Sequence, residues 1–274
     1  LLTDATTPTG VLTWNFNSGT SSNNAFNFLG EGQTLALTYG LNVSDDKGGS
    51  ISQPVTITIT GTNDAPSISG TASASLTETN AALIATGTLT VTEVDLSDSI
   101  AASVQSVVTT GTFTGTNPIS PADLQAMLAL NPMSLLTDTA ANSSNLTWTF
   151  NSGTSSNAAF NFLAAGETLI LTYTISASDG RATTSKDVAI TITGTNDAPV
   201  ISAATKVAGT LTEGSVLTDS GSFTFSDLDL SDRPSASVDT TVAVALTKSD
   251  GNKPLVFTPV QEEALGALKA GFKL

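Results

Sequence analysis

The stretch Ile59-Thr-Gly-Thr-Asn-Asp-Ala-Pro66 decides how this chain is organised, because it returns unchanged as Ile192-Thr-Gly-Thr-Asn-Asp-Ala-Pro199. The copying extends outward from it: segment 14–29 matches segment 148–163, an offset of 134 residues. Val94-Asp-Leu-Ser-Asp98 returns at the same offset as Leu228-Asp-Leu-Ser-Asp232. Self-similarity at a fixed period is the signature of a repeated structural unit.

The repeat predicts three parts. The unit begins near Pro66 and ends near Ala198, so residues 66–198 form one complete repeat. Residues 1–65 correspond to the C-terminal half of a repeat, and residues 199–274 to the N-terminal half of the next. The chain begins with Leu-Leu-Thr-Asp instead of Met, and we expect it to be a piece of a longer protein.

The two halves complement each other in sequence, because joining residue 274 to residue 1 would rebuild almost one whole repeat. Each half alone would expose open strand edges and half of a core, which favours association with another chain. We therefore expect the halves to be completed head to tail, either by neighbouring repeats of the same chain or by identical subunits. A head-to-tail contact that does not close gives a filament.

Alternation of apolar and polar residues predicts strands with one buried face. It occurs in Thr34–Val43 and Val55–Thr60 and in their copies, Thr168–Ala177 and Val188–Thr193. Turn-forming stretches, Asp45–Gly49 and Asp179-Gly180, separate the members of each pair and predict antiparallel hairpins. Further short strands are predicted around Leu76, from Gly87 to Thr92 and from Ser103 to Val108, with copies around Leu211, from Gly221 to Phe225 and from Ser237 to Val242. The fold class is therefore all-β, with tandem β-sandwiches.

One short helix interrupts the strands in each repeat. Ser120–Leu130 has Ser at the N-cap position, Pro at the first helical position and Asp in the first turn, and Thr258–Leu268 is its counterpart. Aromatic residues spaced by two along strands are expected in the core: Trp14, Phe16, Phe26, Phe28, Trp148, Phe150, Phe160 and Phe162. A sugar-stacking surface is the alternative function for these rings.

Composition excludes several classes of function. The net charge is −15, with 24 acidic against 9 basic residues, which argues against binding to nucleic acid or to anionic lipid. Neither Cys nor His is present, so thiolate and imidazole metal ligands and Ser-His-Asp catalysis are excluded. No apolar run is long enough for a membrane helix. A divalent cation would relieve the repulsion among the acids, and an oxygen-rich ligand set suits Ca²⁺.

The repeated sequence segments resemble the VCBS repeat, a cadherin-like or bacterial Ig-like module of giant secreted bacterial proteins. The matching stretches are Val94–Asp98, Trp148–Phe150, Phe160–Tyr173, Ser178–Gly180 and Ile190–Val200. The resemblance implies Ig-like, cadherin-like sandwiches in tandem, type I secretion, adhesive or biofilm roles at the bacterial cell surface, and Ca²⁺ at the module junctions. In the cadherin-like pattern, linker acids meet the first-strand Glu and an acidic loop at the junction.

The candidate Ca²⁺ ligands are acids and amides of the linkers, first strands and acidic loops. One copy offers Asn63, Asp64, Glu78, Glu93, Asp95 and Asp98, and the other offers Asn196, Asp197, Glu213, Asp227, Asp229 and Asp232. Asp179, in the hairpin turn of the module preceding the second linker, is expected to approach the same end. The alternative is structural, because Asp and Asn in loops usually form turns or caps.

Three functional hypotheses follow. The first is a non-enzymatic spacer in an extracellular adhesin or surface filament, since an active site would not need near-identical copies. The second is an adhesion module whose loops bind a carbohydrate or a host protein. The third is a glycoside hydrolase with paired carboxylates; the sequence disfavours it, because the acids recur at linkers and no pocket signature accompanies them.

Overall fold

The computed structural model describes residues 9–19, 24–45, 47–136, 141–153, 158–214, 217–238, 258–260 and 272. The fold is all-β, as predicted. The strands are β1 Thr34–Ser44, β2 Ser50–Thr60, β3 Ser67–Gly70, β4 Ser73–Thr77, β5 Ile84–Thr92, β6 Ile100–Gly111, β7 Leu128–Asn131, β8 Ser134–Leu135, β9 Ser143–Asn151, β10 Thr168–Ser178, β11 Thr183–Thr193, β12 Val200–Ala204 and β13 Phe223–Ser226. One α-helix, α1 (Pro121–Ala126), and a 3-10 turn at Asn24–Phe26 complete the described elements.

Residues 66–198, called the complete module from here on, contain a β-sandwich. One sheet has the strand order β4-β11-β10-β6-β8 and the other has the order β3-β5-β9-β7. Alternate residues of both sheets point inward, so the core is formed by side chains such as Leu89, Trp148, Leu171 and Ile190, all fully buried. The main core cluster draws all its members from this module, between Leu83 and Ile192.

Residues 1–65, called the leading half, contain the β1–β2 hairpin, which has the register of the β10–β11 hairpin. Thr34 pairs with Thr60 as Thr168 pairs with Thr193. The strand assignments predicted for both hairpins are confirmed. Burial differs sharply: Tyr173 on β10 is fully buried, whereas its counterpart in the leading half, Tyr39, is 46% exposed.

The prediction that all eight listed aromatic residues lie in a core holds only in the complete module. Trp148, Phe150, Phe160 and Phe162 are buried there. In the leading half, Trp14 is 55% exposed and Phe28 is 39% exposed. The physical reason is the environment: within the described part of the chain β1 and β2 form a two-stranded sheet, whereas β10 and β11 lie between β6 and β4 in a sheet that packs on a second one.

The predicted helix is shorter than its sequence pattern. It begins where expected, with Ser120 as N-cap accepting a hydrogen bond from the Asp123 N–H, but it ends at Ala126. Residues Leu128–Asn131 form β7 instead and pair with β9. Tertiary pairing overrides helix propensity here, because it places Leu128 in the core beside α1.

Residues 199–274, called the trailing half, are described in part. Val200–Ala204 and Phe223–Ser226 pair as an antiparallel ribbon, which confirms the strand predicted near Phe225. The residues around Leu211 are not a strand. Pro259 and Val260 are helical, while most of the predicted segments Ser237–Val242 and Thr258–Leu268 lies outside the described residues.

The chain forms two compact units, each with most of its contacts inside itself. Residues 1–197 with 228–230 form one, and residues 198–227 with 231–274 form the other. The first unit therefore contains the leading half, the complete module except Ala198, and a three-residue piece of the acidic loop. The finer division at residues 65 and 198 remains a prediction from the repeat.

Candidate calcium junctions

Strand direction sorts the predicted acidic ligands to opposite ends of the complete module. β4 runs parallel to β11, with Thr77 opposite Thr193, so Glu78 emerges at the same end as the linker that follows β11. The β10–β11 turn lies at the other end, beside the start of β6, where Ser178 pairs with Ala101. The loop after β5 begins at this end as well. Each end of the module therefore forms its own junction.

The first junction joins the Asn63–Asp64 linker to the β5–β6 loop and to the β10–β11 turn. The backbone N–H of Asp64 donates to the Asp95 carboxylate at 2.8 Å. The amide of Asn63 donates to Asp179 Oδ2 at 3.1 Å. Three segments that are distant in sequence thus meet through acceptor oxygens at one end of the module.

Two carboxylates of this junction are almost completely buried. Glu93 is 3% exposed and Asp95 is 1% exposed. One oxygen of Glu93 accepts from the N–H groups of Val94 and Asp95, at 2.7 and 3.2 Å. The second oxygen, Oε2, the Oδ1 of Asp95 and the Oδ1 of Asn63 are all buried and receive no hydrogen bond from any described residue. Buried acceptors are usually satisfied, so each of these three atoms has the capacity to bind a donor or a cation.

Burial changes the ionisation of these two groups. Loss of solvent raises the pKa of Glu93, and repulsion from Asp95 and Asp179 adds to the effect. Loss of solvent also raises the pKa of Asp95, with repulsion from Asp98, Asp64 and Asp179. The carboxylates are therefore close enough to repel one another, and a bound cation would reverse this effect.

Asp179 is held in its ionised form by its own turn. Burial opposes its ionisation, but hydrogen bonds from the N–H groups of Ala182 and Arg181 and from the Asn63 amide outweigh burial and lower its pKa. Both backbone bonds are 2.6 Å long. This turn therefore presents a fixed negative charge towards the linker.

Backbone contacts fix the joint mechanically. The N–H of Leu96, in the β5–β6 loop, donates to the carbonyl of Phe28 at 3.2 Å. Gly61 donates to the carbonyl of Gln33 at 2.8 Å, and a Cβ placed on Gly61 would lie 2.2 Å from the Leu29 carbonyl. Arg181 also forms an ion pair with Glu31 of the leading half. The Leu96 bond and the Arg181 ion pair tie the leading half to the complete module, and the Gly61 contacts hold the linker against the leading half itself.

The second junction repeats these bonds around the linker after β11. The N–H of Asp197 donates to Asp229 at 2.9 Å, and the N–H of Leu230 donates to Phe162 at 3.1 Å. A Cβ on Gly194 would lie 2.2 Å from the Leu163 carbonyl, the same distance as at Gly61. The linker-to-loop bonds and the close glycine approach thus recur in both copies, so they belong to the repeat itself.

Glu78 belongs to the second junction. Its carboxylate, 2% exposed, accepts from the Thr195 hydroxyl at 2.5 Å and from the Thr195 N–H at 3.3 Å. We expected the first-strand Glu to meet the linker acids of its own copy, Asn63 and Asp64. Parallel pairing of β4 with β11 instead carries Glu78 along the module to the next linker.

Asp179 lies at the other end of the module from the one that we expected. We expected it to approach the second linker, but the antiparallel turn returns the chain to the start of the module, where Asp179 bonds Asn63. Asp98 lies in the β5–β6 loop, partly buried, and accepts from the Ser97 hydroxyl. Asn196 is exposed and donates to the Asp197 carbonyl, as Asn63 does to Asp64.

The acidic loop of the second copy gathers three carboxylates by itself. Ligand oxygens of Asp227, Asp229 and Asp232 lie within 4.8 Å of one another, the one group of three acidic side chains this close in the described part of the chain. Asp229 is buried, while the other two are partly exposed. Glu213 is exposed and does not belong to this group.

Sequence reasoning missed two contributors. Thr195, in the repeated Gly-Thr-Asn-Asp phrase, holds Glu78 in place through its hydroxyl. Arg181 connects the hairpin turn to Glu31. The recurrence of Thr in the linker was a signal for the first, whereas nothing in the local pattern indicates the second, because Glu31 and Arg181 are far apart in sequence.

Comparisons with known proteins give distant likenesses. No family model matches the sequence, and no curated protein matches it. The CooA pilin subunit of enterotoxigenic Escherichia coli is similar at 12% identity and a TM-score of 0.32, over 48% of this chain and 99% of the pilin. AggA, the major subunit of Escherichia coli aggregative adherence fimbriae, is similar at 11% identity and a TM-score of 0.28, over 48% of this chain and 96% of AggA.

Domains 4 and 5 of the S-layer protein SbsC are similar at 12% identity and a TM-score of 0.23, over 64% of this chain and 81% of that one. Among the described residues, no helix has the length and apolar character needed to span a membrane. At such low TM-scores, functional inference has to rest on the chemistry of the junctions.

Proposed function

We propose that this chain consists of structural spacer repeats of a giant extracellular bacterial adhesin or surface filament, without enzymatic activity, whose module junctions are rigidified by Ca²⁺. The resemblance of the repeated sequence segments to VCBS modules supports the proposed location at the cell surface. The carrying observation is the burial of Glu93 and Asp95 at a joint between segments, each with an oxygen that no described residue satisfies.

The donor set fits Ca²⁺. The first junction offers carboxylates of Asp64, Glu93, Asp95 and Asp179 and the amide oxygen of Asn63, which are all hard oxygen ligands. Buried carboxylates cost several kcal/mol each in general, and a divalent cation offsets that cost. The two oxygens of Glu93 and Asp95 that lack a hydrogen-bond donor would be the natural first ligands.

Ca²⁺ at this position would join elements that are otherwise linked by few bonds. The linker, the β5–β6 loop and the β10–β11 turn would share one cation, so bending at the linker would require breaking coordination. At the second junction Asp197 and Asp229, the counterparts of Asp64 and Asp95, would be ligands together with Glu78. The same joint in each repeat would produce a stiff, regularly spaced array, which is what a spacer requires.

The direct test is thermal unfolding of the full chain in EDTA, in millimolar Ca²⁺ and in equal Mg²⁺. We expect Ca²⁺ to raise the melting temperature, since a ligand that binds the folded state stabilises it by mass action. Small-angle scattering should show a narrower distribution of shapes with Ca²⁺. Mg²⁺ should do less, because it demands tighter octahedral geometry.

The matched variants are Glu93→Gln with Asp95→Asn, against Asp187→Asn as a control. Asp187 is an exposed carboxylate on β11 and bonds the Thr174 hydroxyl. The double variant should lose most of the Ca²⁺ response at the first junction, and the control should keep it. Identical melting of the unaltered chain in EDTA and Ca²⁺ would refute calcium rigidification.

A further inference from the structure

Asn161 is a buried amide in the turn before β10. The residue is 3% exposed, and its Nδ2 group donates a hydrogen bond to Asn80 Oδ1. Its own Oδ1 is buried and receives no hydrogen bond from any described residue. Most buried polar atoms of side chains in native proteins have a partner. The Nδ2 group of Asn161 therefore has a structural role, whereas its oxygen is open to a ligand.

Glu78 and the linker after β11 form two sides of a small ring of contacts. The Glu78 carboxylate accepts from the hydroxyl and the N–H of Thr195, and both bonds use the same oxygen, Oε2. Gly194, directly before Thr195, lies against the turn before β10, since a Cβ on Gly194 would be 2.2 Å from the Leu163 carbonyl. The Gly194 N–H also donates to the Glu167 carbonyl of that turn at 2.8 Å. The linker thus connects Glu78 to the turn.

Asn161 closes this ring. It lies in the same turn, two residues before Leu163, and it bonds Asn80, which lies two residues after Glu78. The linker, the turn and the segment after β4 therefore contact one another in a closed circuit. The amide of Asn161 and the carboxylate of Glu78 belong to one small region, at the end of the module where the second junction lies.

The acidic loop of the second copy reaches the same turn. The N–H of Leu230 donates to the Phe162 carbonyl at 3.1 Å, and Phe162 directly follows Asn161. Asp229, directly before Leu230, accepts from the N–H of Asp197 at 2.9 Å. The carboxylates proposed for the second junction therefore lie on segments that are all bonded to the Asn161 turn or to the ring that it closes.

The first copy shows corresponding residues around one space. The counterparts are Asn27 for Asn161, Thr62 for Thr195 and Asp64 for Asp197. All three counterparts line a single recess of about 280 Å³. In this copy, the asparagine of the Phe-Asn-Phe segment and the linker acid thus border a common space. The recurrence of the same residues in the second copy places the oxygen of Asn161 on the side of the linker acid.

We infer that Asn161 supplies its amide oxygen to the cation of the second junction, together with the carboxylate of Glu78. This inference rests on the proposed calcium function and adds to it a neutral ligand from outside the linker and the acidic loop. Ca²⁺ takes about six to eight oxygen ligands, and amide carbonyls are among them. A neutral oxygen adds to the coordination without adding to the repulsion among the carboxylates in the absence of the cation.

The test changes the amide to a carboxylate of the same shape. Asn161→Asp is made in the full chain that also carries Glu93→Gln and Asp95→Asn, so that the second junction is observed without the first. Asn145→Asp is the matched control, because Asn145 is exposed on β9 and undergoes the same change in charge. Calcium affinity is measured by titration calorimetry, and melting is recorded in EDTA and in millimolar Ca²⁺.

We expect Asn161→Asp to bind Ca²⁺ about tenfold more tightly than its parent, because added ligand charge strengthens calcium sites. In EDTA the variant should melt below its parent, since a further buried carboxylate repels its neighbours. Ca²⁺ should bring its melting temperature to that of the parent or above. Asn161→Leu should bind Ca²⁺ about tenfold more weakly. Asn145→Asp should change neither quantity.

Two results would overturn the inference. One is an Asn161→Asp variant whose melting temperature falls equally in EDTA and in Ca²⁺, because Asn161 would then only hold Asn80. The other is a calcium affinity of Asn161→Asp that equals that of Asn145→Asp. Because the aspartate keeps the shape of the asparagine, this comparison stands even if Asn161→Leu fails to fold.

The unaltered chain separates this inference from the proposed function. If its melting is the same in EDTA and in Ca²⁺, calcium rigidification is refuted and the role of Asn161 with it. If its melting depends on Ca²⁺ but the calcium affinity ignores every change at Asn161, the proposed function stands and only the ligand role of Asn161 is refuted.

Discussion

The backbone N–H of Asp64 donates a hydrogen bond of 2.8 Å to the carboxylate of Asp95. This bond connects the linker before the complete module to the loop between β5 and β6, and it recurs in the next linker at 2.9 Å. The bond occupies one oxygen of Asp95 and so orients the carboxylate. The second oxygen is buried and has no hydrogen-bond donor among the described residues. The stability of the joint should therefore depend on pH and on cations.

The pH dependence follows from the raised pKa values of Glu93 and Asp95. In EDTA, the folded state holds these protons more tightly than the unfolded state, so their contribution to stability is present below the unfolded pKa of about 4. It should be lost as the pH rises through the higher folded pKa values. Asp179, with a lowered pKa, contributes stability above that pH and loses it in more acidic solution.

Glu93→Gln isolates one part of this dependence. In EDTA at pH 7 the variant should melt at or above the temperature of the unaltered chain, because it removes a buried charge. Its stability should fall less as the pH rises from about 4 to 7. Chemical unfolding across that range provides the measurement, with Asp187→Asn as the control. A variant that is markedly less stable in EDTA would show that the carboxylate is stabilised without a cation.

The repeat supplies its own controls for core packing. Trp148→Ala should lower the unfolding free energy of the complete module by about 3–5 kcal/mol, the usual cost of removing a buried large aromatic. Trp148 also donates to the Thr71 carbonyl at 2.9 Å, which is lost in the variant. In dilute solution Trp14→Ala should change that free energy by less than about 0.5 kcal/mol. Equal effects of the two substitutions would contradict the difference in burial.

Close backbone approach at the linker predicts sensitivity to a single methyl group. Gly194→Ala should destabilise the chain by about 1–3 kcal/mol, since the added Cβ would lie against the Leu163 carbonyl. Gly40→Ala is the control, because its Cβ would be no closer than 3.5 Å to any neighbour, the Ser52 hydroxyl. Urea unfolding of both variants would decide, and a neutral Gly194→Ala would mean that the linker can shift at no cost.

Tyr173 offers a hydrogen bond that can be removed without changing shape. Its buried hydroxyl donates to the Leu124 carbonyl at 2.8 Å, and burial raises its pKa. Tyr173→Phe should cost about 1 kcal/mol of unfolding free energy. Tyr39→Phe, at the exposed counterpart, should cost almost nothing. If both variants unfold alike by calorimetry, the contact to α1 contributes no net stability.

The sequence by itself determined the strands of both hairpins, the start of the helix at Ser120 and the existence of a repeated acidic joint. These features follow from local rules: alternation with period two, helix capping and the recurrence of the Gly-Thr-Asn-Asp phrase. It also predicts that residues 1–65 and 199–274 correspond to halves of a sandwich. Aligning the two copies of a repeat assigns each residue its counterpart directly, so this prediction does not depend on how the strands pair.

Only the tertiary structure decided which acids meet. Parallel pairing with β11 carries Glu78 to Thr195, and the antiparallel turn brings Asp179 back to Asn63. The end of a sandwich at which a residue emerges depends on strand direction and register, which a local pattern does not contain. Burial was likewise a tertiary outcome: Trp14 and Trp148 lie in near-identical segments, but among the described residues Trp148 has neighbouring strands on both sides and Trp14 does not.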